Sequence, residues 1–389
     1  MTAKSNWRAI LVAFSIGVVG AAQVGRIAPT IDVMRDDLDL SLTTMGWMAS
    51  LVTLAPACLG LFAGYWVIKW GPRSILIAGL VILSVSVLLA GMSPSALLLL
   101  IARCLEGMGY LAIIVAAPTL ISRESNTADL PRSLALWGTF FTLGLSVASI
   151  LGGAISDAFG WRTWVFANFG FLVMTSIYAA IALPVDPGRI ENASAHHAVE
   201  RRLPQAPWLL GLAFLGLTLL SLALLTMMPT FLAETQGMSS GTAGRLTGLV
   251  ALASIAGSAV YGLTTGRLTT KAILIGAACL LIISAFPTFQ TGASTRVVII
   301  SATTAVFASG ILIAFTFATV PRVVDDQTQI APANGLIAQF GSVGALLGPP
   351  MVGYGVSKLG WIALSGMITL FTASFLILAL GATRAVVTR

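Results

Sequence analysis

Twelve long apolar runs dominate this chain and constrain its fold more than any other feature. They lie near residues 8–30, 43–68, 74–92, 96–121, 133–157, 162–183, 208–231, 240–265, 272–290, 297–320, 332–356 and 360–381. A helix needs about 20 apolar residues to cross the hydrocarbon core of a bilayer, which matches these runs. Barrel strands are shorter and alternate in polarity, whereas these runs are apolar on all sides. The sequence therefore predicts an all-α membrane protein with twelve transmembrane helices.

The composition excludes several classes of protein. Hydrophobic residues make up 57% of the 389 residues and charged residues only 9%, unlike a soluble domain. The three cysteines have no motif spacing, so neither a disulfide framework nor a metal site is expected, and no cofactor is predicted. The chain lacks a Walker A sequence, which argues against direct use of ATP. No nucleophile arrangement or pair of carboxylates falls inside the runs, so we do not expect an enzyme.

The positive charges sort by side of the predicted membrane. With the N-terminus inside, the cytoplasmic segments carry fourteen basic residues: Lys4, Arg8, Lys69, Arg73, Arg123, Arg132, Arg189, Arg201, Arg202, Arg267, Lys271, Arg322, Arg384 and Arg389. The outer loops carry four: Arg35, Arg162, Arg296 and Lys358. This bias explains the net charge of +7 without a nucleic-acid partner. It predicts a protein of the cytoplasmic (inner) membrane with both termini in the cytoplasm.

A faint internal repeat divides the chain into two parallel halves. The residues that recur at an offset of 200 are Gly144 and Gly344, Gly153 and Gly353, Gly160 and Gly360, and Trp161 and Trp361. We predict an N-terminal six-helix bundle at 1–183, a cytoplasmic linker at 184–207 and a C-terminal six-helix bundle at 208–389. Two such halves meet at a seam where a solute can bind and around which they can rock, which indicates a transporter.

Proline and glycine mark one expected interruption. Gly348-Pro349-Pro350 lies inside the eleventh run, where we predict a kink or a local unwinding of the helix. Other glycines within the runs are interpreted as sites where helix backbones approach closely.

The loop between the second and third runs contains Gly64, Lys69, Gly71 and Arg73 at a characteristic spacing. With these four residues it resembles the signature loop of the major facilitator superfamily. Ile68 stands where the pattern has an aspartate. The resemblance implies a fold of two pseudo-twofold-related six-helix bundles, with this loop as a cytoplasmic gate. Alternatively, the basic residues only anchor the loop at the lipid headgroups.

Two further stretches are similar to branches of the same superfamily. Gly144 and Gly152-Gly153 fit the glycine frame of a drug/proton antiporter motif, although Ala148-Ser149 replaces its central Gly-Pro. The stretch from Gly25 to Ser41 and the Leu105-Glu106-Gly107 turn look like the cyanate and nitrate-type anion branch. The anion resemblance implies a small negatively charged solute.

Ionisable residues inside the runs are the main candidates for function. Each costs at least about 2.5–3.5 kcal/mol to insert, so it faces a cavity or a partner. Gln23 and Arg26 share one face of the first run, and Arg103, Glu106 and Tyr110 share one face of the fourth. The resemblance implies that both runs line the central cavity. Arg26 and Arg103 are therefore predicted to bind an anion, because guanidinium groups suit planar carboxylates.

Three alternatives stay open for these charges. Glu106 is predicted either to pair with an arginine in the empty state or to take a proton in a coupled cycle. Arg103 and Glu106 alternatively form a permanent salt bridge, since one helical turn separates them. Arg26 alternatively extends to the outer interface. Trp137 and Gln339 are predicted to complete the binding site.

These features together predict a monomeric secondary active transporter, embedded in the lipid bilayer, for a small anionic solute. It would work by alternating access between the halves and would draw on a proton or solute gradient. The alternative is proton-coupled efflux of hydrophobic drugs or metabolites, which the apolar cavity helices and Glu106 favour.

Overall fold

The computed structural model describes residues 4–27, 30, 34, 37–40, 42–186, 203–238 and 240–387, and these are almost entirely helical. The α-helices are α1 Trp7–Gly25, α2 Leu42–Trp70, α3 Pro72–Gly91, α4 Ala96–Glu124, α5 Leu130–Trp137, α6 Phe140–Phe159, α7 Trp161–Ala182, α8 Gln205–Gln236, α9 Ser240–Ala251, α10 Ala253–Thr264, α11 Thr270–Thr288, α12 Thr295–Thr319, α13 Ile330–Leu359 and α14 Ile362–Val387. Two short 3-10 helices, Val320–Arg322 and Gln327–Gln329, lie between α12 and α13.

Twelve segments of the described chain are long and apolar enough to cross a membrane, which confirms the predicted number. Two of these segments consist of two helices each. The fifth consists of α5 and α6, which separate at Gly138 and Thr139, and the eighth consists of α9 and α10, which separate at Leu252. Long helices satisfy their own backbone hydrogen bonds, so they are the expected way for an apolar chain to span lipid.

Helix α13 does not unwind at its two prolines. It continues from Ile330 to Leu359 through Pro349 and Pro350, so of the two predicted alternatives the local unwinding is wrong, and the kink stays a prediction. A proline removes one backbone donor, but its fixed φ is compatible with a helix, and the remaining hydrogen bonds continue the α13 ladder.

The repeated Gly-Trp pair has the same structural role at both positions. Gly160 precedes α7 with φ +83°, and Gly360 precedes α14 with φ +75°, a backbone conformation that favours glycine. The indole N–H of Trp161 then donates to Asp37 over 3.0 Å. The indole N–H of Trp361 donates to Glu234 over 3.1 Å. The internal repeat thus extends to an equivalent tryptophan–carboxylate contact.

The described residues form two compact units. The first unit comprises residues 1–130, 140–203 and 326–339, and the second comprises 131–139, 204–325 and 340–389. Most of the predicted linker, 187–202, lies outside the described residues.

The repeated glycines Gly144 and Gly344 mark equivalent close helix crossings. In the first unit, a Cβ at Gly144 of α6 would overlap Val18 and Ala21 of α1. In the second unit, a Cβ at Gly344 of α13 would overlap Leu215 and Thr218 of α8. Small residues let backbones pack this closely in a membrane. Each unit therefore joins its first helix to a later one through a glycine.

Candidate functional site

A buried cluster of three charged side chains lies inside the first unit. Arg26, at the C-terminal end of α1, and Arg103 of α4 both form ion pairs with Glu106 of α4, one to each carboxylate oxygen. The exposed fractions of Arg26, Arg103 and Glu106 are 2%, 1% and 0%. Glu106 is the only buried carboxylate among the residues that the structure describes. The helical spacing predicted that these groups share a location, and the structure brings them into contact.

Arg103 is fully engaged by protein acceptors. Its Nε donates to the Met48 carbonyl oxygen over 2.7 Å, and its Nη1 donates to the Gln23 carbonyl oxygen over 3.0 Å as well as to Glu106. Its Nη2 lies 3.5 Å from the Val24 carbonyl oxygen. One guanidinium group therefore binds α4 to the last turn of α1 and to the first turns of α2.

Gln23 joins this cluster to α7 through a residue that the sequence analysis missed. Its Nε2 donates to Asn168 Oδ1 over 3.2 Å, and Asn168 in turn donates to the Trp164 carbonyl oxygen over 2.8 Å. The Trp164 indole N–H donates to the Arg26 carbonyl oxygen over 3.1 Å. Asn168 and Trp164 follow one another at i, i+4 on α7, a spacing that could have marked a polar face.

Arg26 retains donors without an acceptor among the described residues. Its Nη2 pairs with Glu106, but its Nε and Nη1 are buried and have no hydrogen-bond partner in that part of the chain. Buried guanidinium N–H groups are costly when unpaired, because they lose their hydration. Arg26 and Arg103 also line a cavity of about 10 Å³. The arrangement suits an additional acceptor beside Arg26.

The cluster carries an excess positive charge. Two guanidinium groups face one carboxylate, which leaves a formal charge of +1 in a site that is closed to solvent. Taking an ion out of water costs several kcal/mol even after relaxation, unless the protein compensates it. Among the described residues, no further carboxylate forms an ion pair with Arg26 or Arg103.

The remaining predicted binding residues lie elsewhere. Tyr110 is buried one turn along α4 from Glu106 and packs near Gly20 of α1. Trp137 belongs to the second unit, where its ring meets Phe317 edge to face at 6.4 Å. Gln339 of α13 accepts a hydrogen bond from the Leu61 N–H of α2 over 3.2 Å. The hydrogen-bond partners of Gln339 are Leu61 and Cys58 of α2 rather than the charged cluster.

The α2–α3 loop contains the four predicted gate residues. A Cβ at Gly64 would overlap Ala331 and Pro332 at the start of α13. Lys69 Nζ lies 5.4 Å from the centre of the Trp70 ring. Gly71 caps α3 with φ +82°, and Arg73 donates from its Nη2 to the Ala180 carbonyl oxygen of α7 over 2.5 Å.

Asp186 provides the loop with a carboxylate, whereas the loop itself has Ile68 at the position where the family pattern has an aspartate. Its carboxylate accepts from the backbone N–H groups of Arg73 and Ser74, over 3.2 and 3.1 Å, and from Arg123 Nη1 over 3.0 Å. A Cβ at Gly71 would collide with this carboxylate. An acid at a helix N-terminus satisfies orphan donors and complements the helix dipole. Asp186 lies in the predicted linker, and its contact with the loop is not apparent from the sequence because the two are far apart in the chain.

We expect the substitution Asp186→Asn to lower the free energy of unfolding by about 1 kcal/mol, the usual scale of a lost helix cap. The amide keeps the shape but loses the charge that binds Arg123. Thermal unfolding of the purified protein measures the effect. Asp39→Asn, at an exposed position that asparagine also tolerates, is the matched control. Equal melting temperatures for the two variants would contradict the role given to Asp186.

Twelve apolar spans with a charged cluster buried between helices define an integral multi-pass membrane protein of the transporter class. Residues 9–331 match the sequence profile described as Major Facilitator Superfamily. The chain belongs to this superfamily, whose members are transporters rather than enzymes and bind small-molecule substrates within a membrane.

Curated relatives and solved structures agree with this assignment. The chain is 29% identical over 185 residues to the Multidrug resistance protein B homolog of Mycobacterium tuberculosis, a match that covers 47% of this chain and 33% of that protein. The chain spans about a third of the length of the first curated relatives that it matches. The structure of the human organic anion transporter MFSD10 has a TM-score of 0.79 at 14% identity, covering 96% of this chain and 98% of that one. FucP in the outward conformation has a TM-score of 0.78 at 14% identity, with the same coverage of both chains. These structural likenesses show the fold.

Proposed function

We propose that this protein is a secondary active transporter for a small anionic solute. It works by alternating access between two six-helix halves, 1–183 and 208–389, in the cytoplasmic membrane, with both termini in the cytoplasm. A proton or solute gradient drives it. The observation that carries the anion proposal is the excess positive charge of the Arg26–Glu106–Arg103 cluster, together with the unpaired Nε and Nη1 of Arg26.

The residues of the cluster take different parts in this proposal. Arg26 is the binding residue, because only its guanidinium group retains donors for a solute carboxylate or a similar planar anion. Arg103 holds the helices around it and contributes its charge. Glu106 is the internal counter-charge that an arriving anion competes with, or a proton carrier in a coupled cycle. Gln23 and Tyr110 lie on the same two helices and border the site.

Trp137 and Gln339 remain in the proposal as residues that complete the substrate-binding site. Both are polar at one end and sit in otherwise apolar spans. The Oε1 of Gln339 already accepts a hydrogen bond from the Leu61 N–H, so the role proposed for Gln339 is to position α13 against α2. Gly64, Lys69, Gly71 and Arg73 form the gate loop in the same proposal.

Uptake into proteoliposomes tests the anion proposal. The vesicles contain purified protein and receive small carboxylates and inorganic anions, each with and without a pH gradient. We expect saturable uptake of at least one anion, and we expect Arg26→Gln to reduce its kcat/KM by tenfold or more, the scale of one lost charge-assisted hydrogen bond. Arg296→Gln removes the same charge at an exposed position and should transport normally.

Two results of that experiment would contradict the proposal. The first is anion uptake by Arg26→Gln at the wild-type rate, which would remove Arg26 from the site. The second is transport of lipophilic cationic dyes and of no anion. Size-exclusion chromatography of each variant shows beforehand that it is folded.

The second candidate function is proton-coupled efflux of hydrophobic drugs or metabolites. The name of the mycobacterial relative favours it, although that relative matches this chain over about a third of its own length. Glu106, a buried carboxylate, is also a suitable proton carrier. Dye efflux that depends on a pH gradient in the wild type, and that Glu106→Gln loses while the variant remains folded by size-exclusion chromatography, would establish this candidate instead.

A further inference from the structure

A groove between α11 and α12 of the second unit has no part in the transport site proposed above. Its volume is about 290 Å³, and every residue that lines it belongs to one of these two helices. The lining covers about two turns of each helix, from Leu280 to Pro287 and from Val297 to Thr304. The groove is therefore elongated and follows the direction in which both helices cross the membrane.

Three hydroxyl groups line this groove, and all three already have hydrogen-bond partners. Ser284, Ser301 and Thr304 each donate to a carbonyl oxygen one turn earlier in their own helix, over 2.7, 2.6 and 2.8 Å. The other lining residues are aliphatic side chains and Pro287, which has no N–H. The groove thus presents an apolar surface, which suits a hydrocarbon chain and not a polar solute.

The walls of the groove are open to the surroundings of the two helices. Ile283 on α11 and Ile300 on α12 line it and are 70% and 67% exposed. Both helices belong to segments that are long and apolar enough to cross a membrane. Apolar side chains exposed to this extent within a span contact lipid rather than water. A lipid molecule therefore has direct access to the groove.

A basic residue stands at one end of the groove. Arg296 precedes the lining residue Val297 and is the second residue of the span Thr295–Arg322, so it lies at the level of the lipid headgroups. Its side chain is exposed. Long basic side chains at the end of a span direct their charge toward the headgroup region, where anionic phosphates attract them.

The acids of the second unit, both of which the structure describes, leave Arg296 without an ion pair. The sequence of this unit contains only two acids, Glu234 and Asp325. The Glu234 carboxylate accepts from the Trp361 indole N–H over 3.1 Å and forms no ion pair with Arg296. Asp325 follows the far end of α12, about 37 Å away along a helix of 25 residues. The charge of Arg296 is not neutralised by its own unit.

We infer that the groove binds one acyl chain of an anionic phospholipid whose phosphate lies against Arg296. The hydrocarbon chain covers the apolar lining of α11 and α12, and the headgroup supplies the negative charge that the second unit does not provide. A zwitterionic phospholipid offers the same chain, but its headgroup also carries a positive charge that Arg296 repels. The anionic lipid therefore matches both the apolar surface and the charge.

This lipid site is independent of the proposed transport function. It depends on side chains of the second unit, whereas Arg26, Arg103 and Glu106 belong to the first. Lipid binding by the purified protein and solute uptake by vesicles are separate measurements, and either can fail while the other succeeds. Arg296→Gln should accordingly lose its preference for anionic lipid and still transport at the wild-type rate.

Native mass spectrometry tests this inference. Purified protein in a mild detergent receives phosphatidylglycerol or phosphatidylcholine with identical acyl chains, and the Kd of the first bound lipid is measured. We expect the wild type to bind phosphatidylglycerol about fivefold more tightly, the scale of one basic residue near an anionic headgroup. Arg296→Gln should remove this preference. Lys271→Gln, which removes an equal charge from an exposed position in the first turn of α11, should retain it.

Photocrosslinking locates the lipid on the wild-type protein, so it remains decisive if Arg296→Gln fails to fold. Each of the two lipids carries a photoreactive group at the end of one acyl chain, and the labelled peptides are identified. We expect phosphatidylglycerol to label the segment from Leu280 to Thr304 more strongly than phosphatidylcholine does. Thr304→Phe places a larger side chain in the groove and should reduce this labelling. Ile275→Phe, at an exposed position of α11 outside the lining, should leave it unchanged.

Four outcomes would overturn the inference. The first is an equal Kd of the wild type for both lipids, which would mean that the groove accepts any acyl chain. The second is a preference for phosphatidylglycerol that Arg296→Gln keeps in full. The third is labelling that avoids α11 and α12. The fourth is a dimer that Thr304→Phe dissociates, which would show that a second copy of the chain covers the groove.

Discussion

Replacing Glu106 with glutamine is expected to destabilise the protein by about 3–5 kcal/mol, the scale reported for removing one partner of a buried ion pair. Both carboxylate oxygens of Glu106 are bound to arginines, and all three side chains are buried. The amide would leave two guanidinium groups side by side without a counter-charge. Chemical denaturation in mild detergent, or the yield of folded protein after extraction, measures the loss.

A double variant separates charge balance from shape. Arg26→Gln combined with Glu106→Gln restores the balance to that of the wild type, with Arg103 as the single excess charge. We expect the pair to recover at least half of the stability that Glu106→Gln loses, which would show as strong non-additivity. A Glu106→Gln protein as stable as the wild type would mean that Glu106 is not the counter-charge of the two arginines.

The second large effect is expected at the repeated glycines. Gly344→Val should destabilise the second unit by about 3 kcal/mol, because its side chain would meet the backbone of Leu215 on α8, which cannot move aside cheaply. Gly144→Val should do the same in the first unit, where Val18 and Ala21 face it. Thermal unfolding and the yield of membrane-inserted protein report both effects.

Gly276 offers the matched control. It lies within α11, and no other atom lies within 4 Å of the position that its Cβ would take. Gly276→Val should change the free energy of unfolding by no more than about 0.5 kcal/mol. A Gly344→Val variant that is as stable as Gly276→Val would show that the α8–α13 crossing is not packed as described.

Sequence patterns predicted the helices well because few backbone conformations are stable in lipid. An apolar run long enough to cross a bilayer has to be helical, so the twelve spans could be predicted directly from the sequence. The positions where a helix is interrupted could not be predicted in this way. Gly348-Pro349-Pro350 looked like the weakest point of a helix, yet α13 continues through it, and the breaks fall at Gly138-Thr139 and at Leu252.

The spacing of residues along one helix predicts only part of the candidate site. Arg103 and Glu106 are one turn apart, and the cost of burying Arg26 made a partner necessary, so this cluster was predictable. Asn168 and Asp186 were missed because their partners are more than a hundred residues away. Trp137 and Gln339 were assigned to the site from residue type alone, and their part in it stays a prediction.

The hydrogen bonds of Arg103 have a mechanical consequence. Its guanidinium group is bonded to the backbone of α1 and α2, and the Trp164 indole adds a bond from α7 to the carbonyl oxygen of Arg26. These buried hydrogen bonds therefore join α1, α2, α4 and α7 to one another. We expect the four helices to move as one rigid group during any motion that accompanies transport, and bending to occur in other parts of the chain.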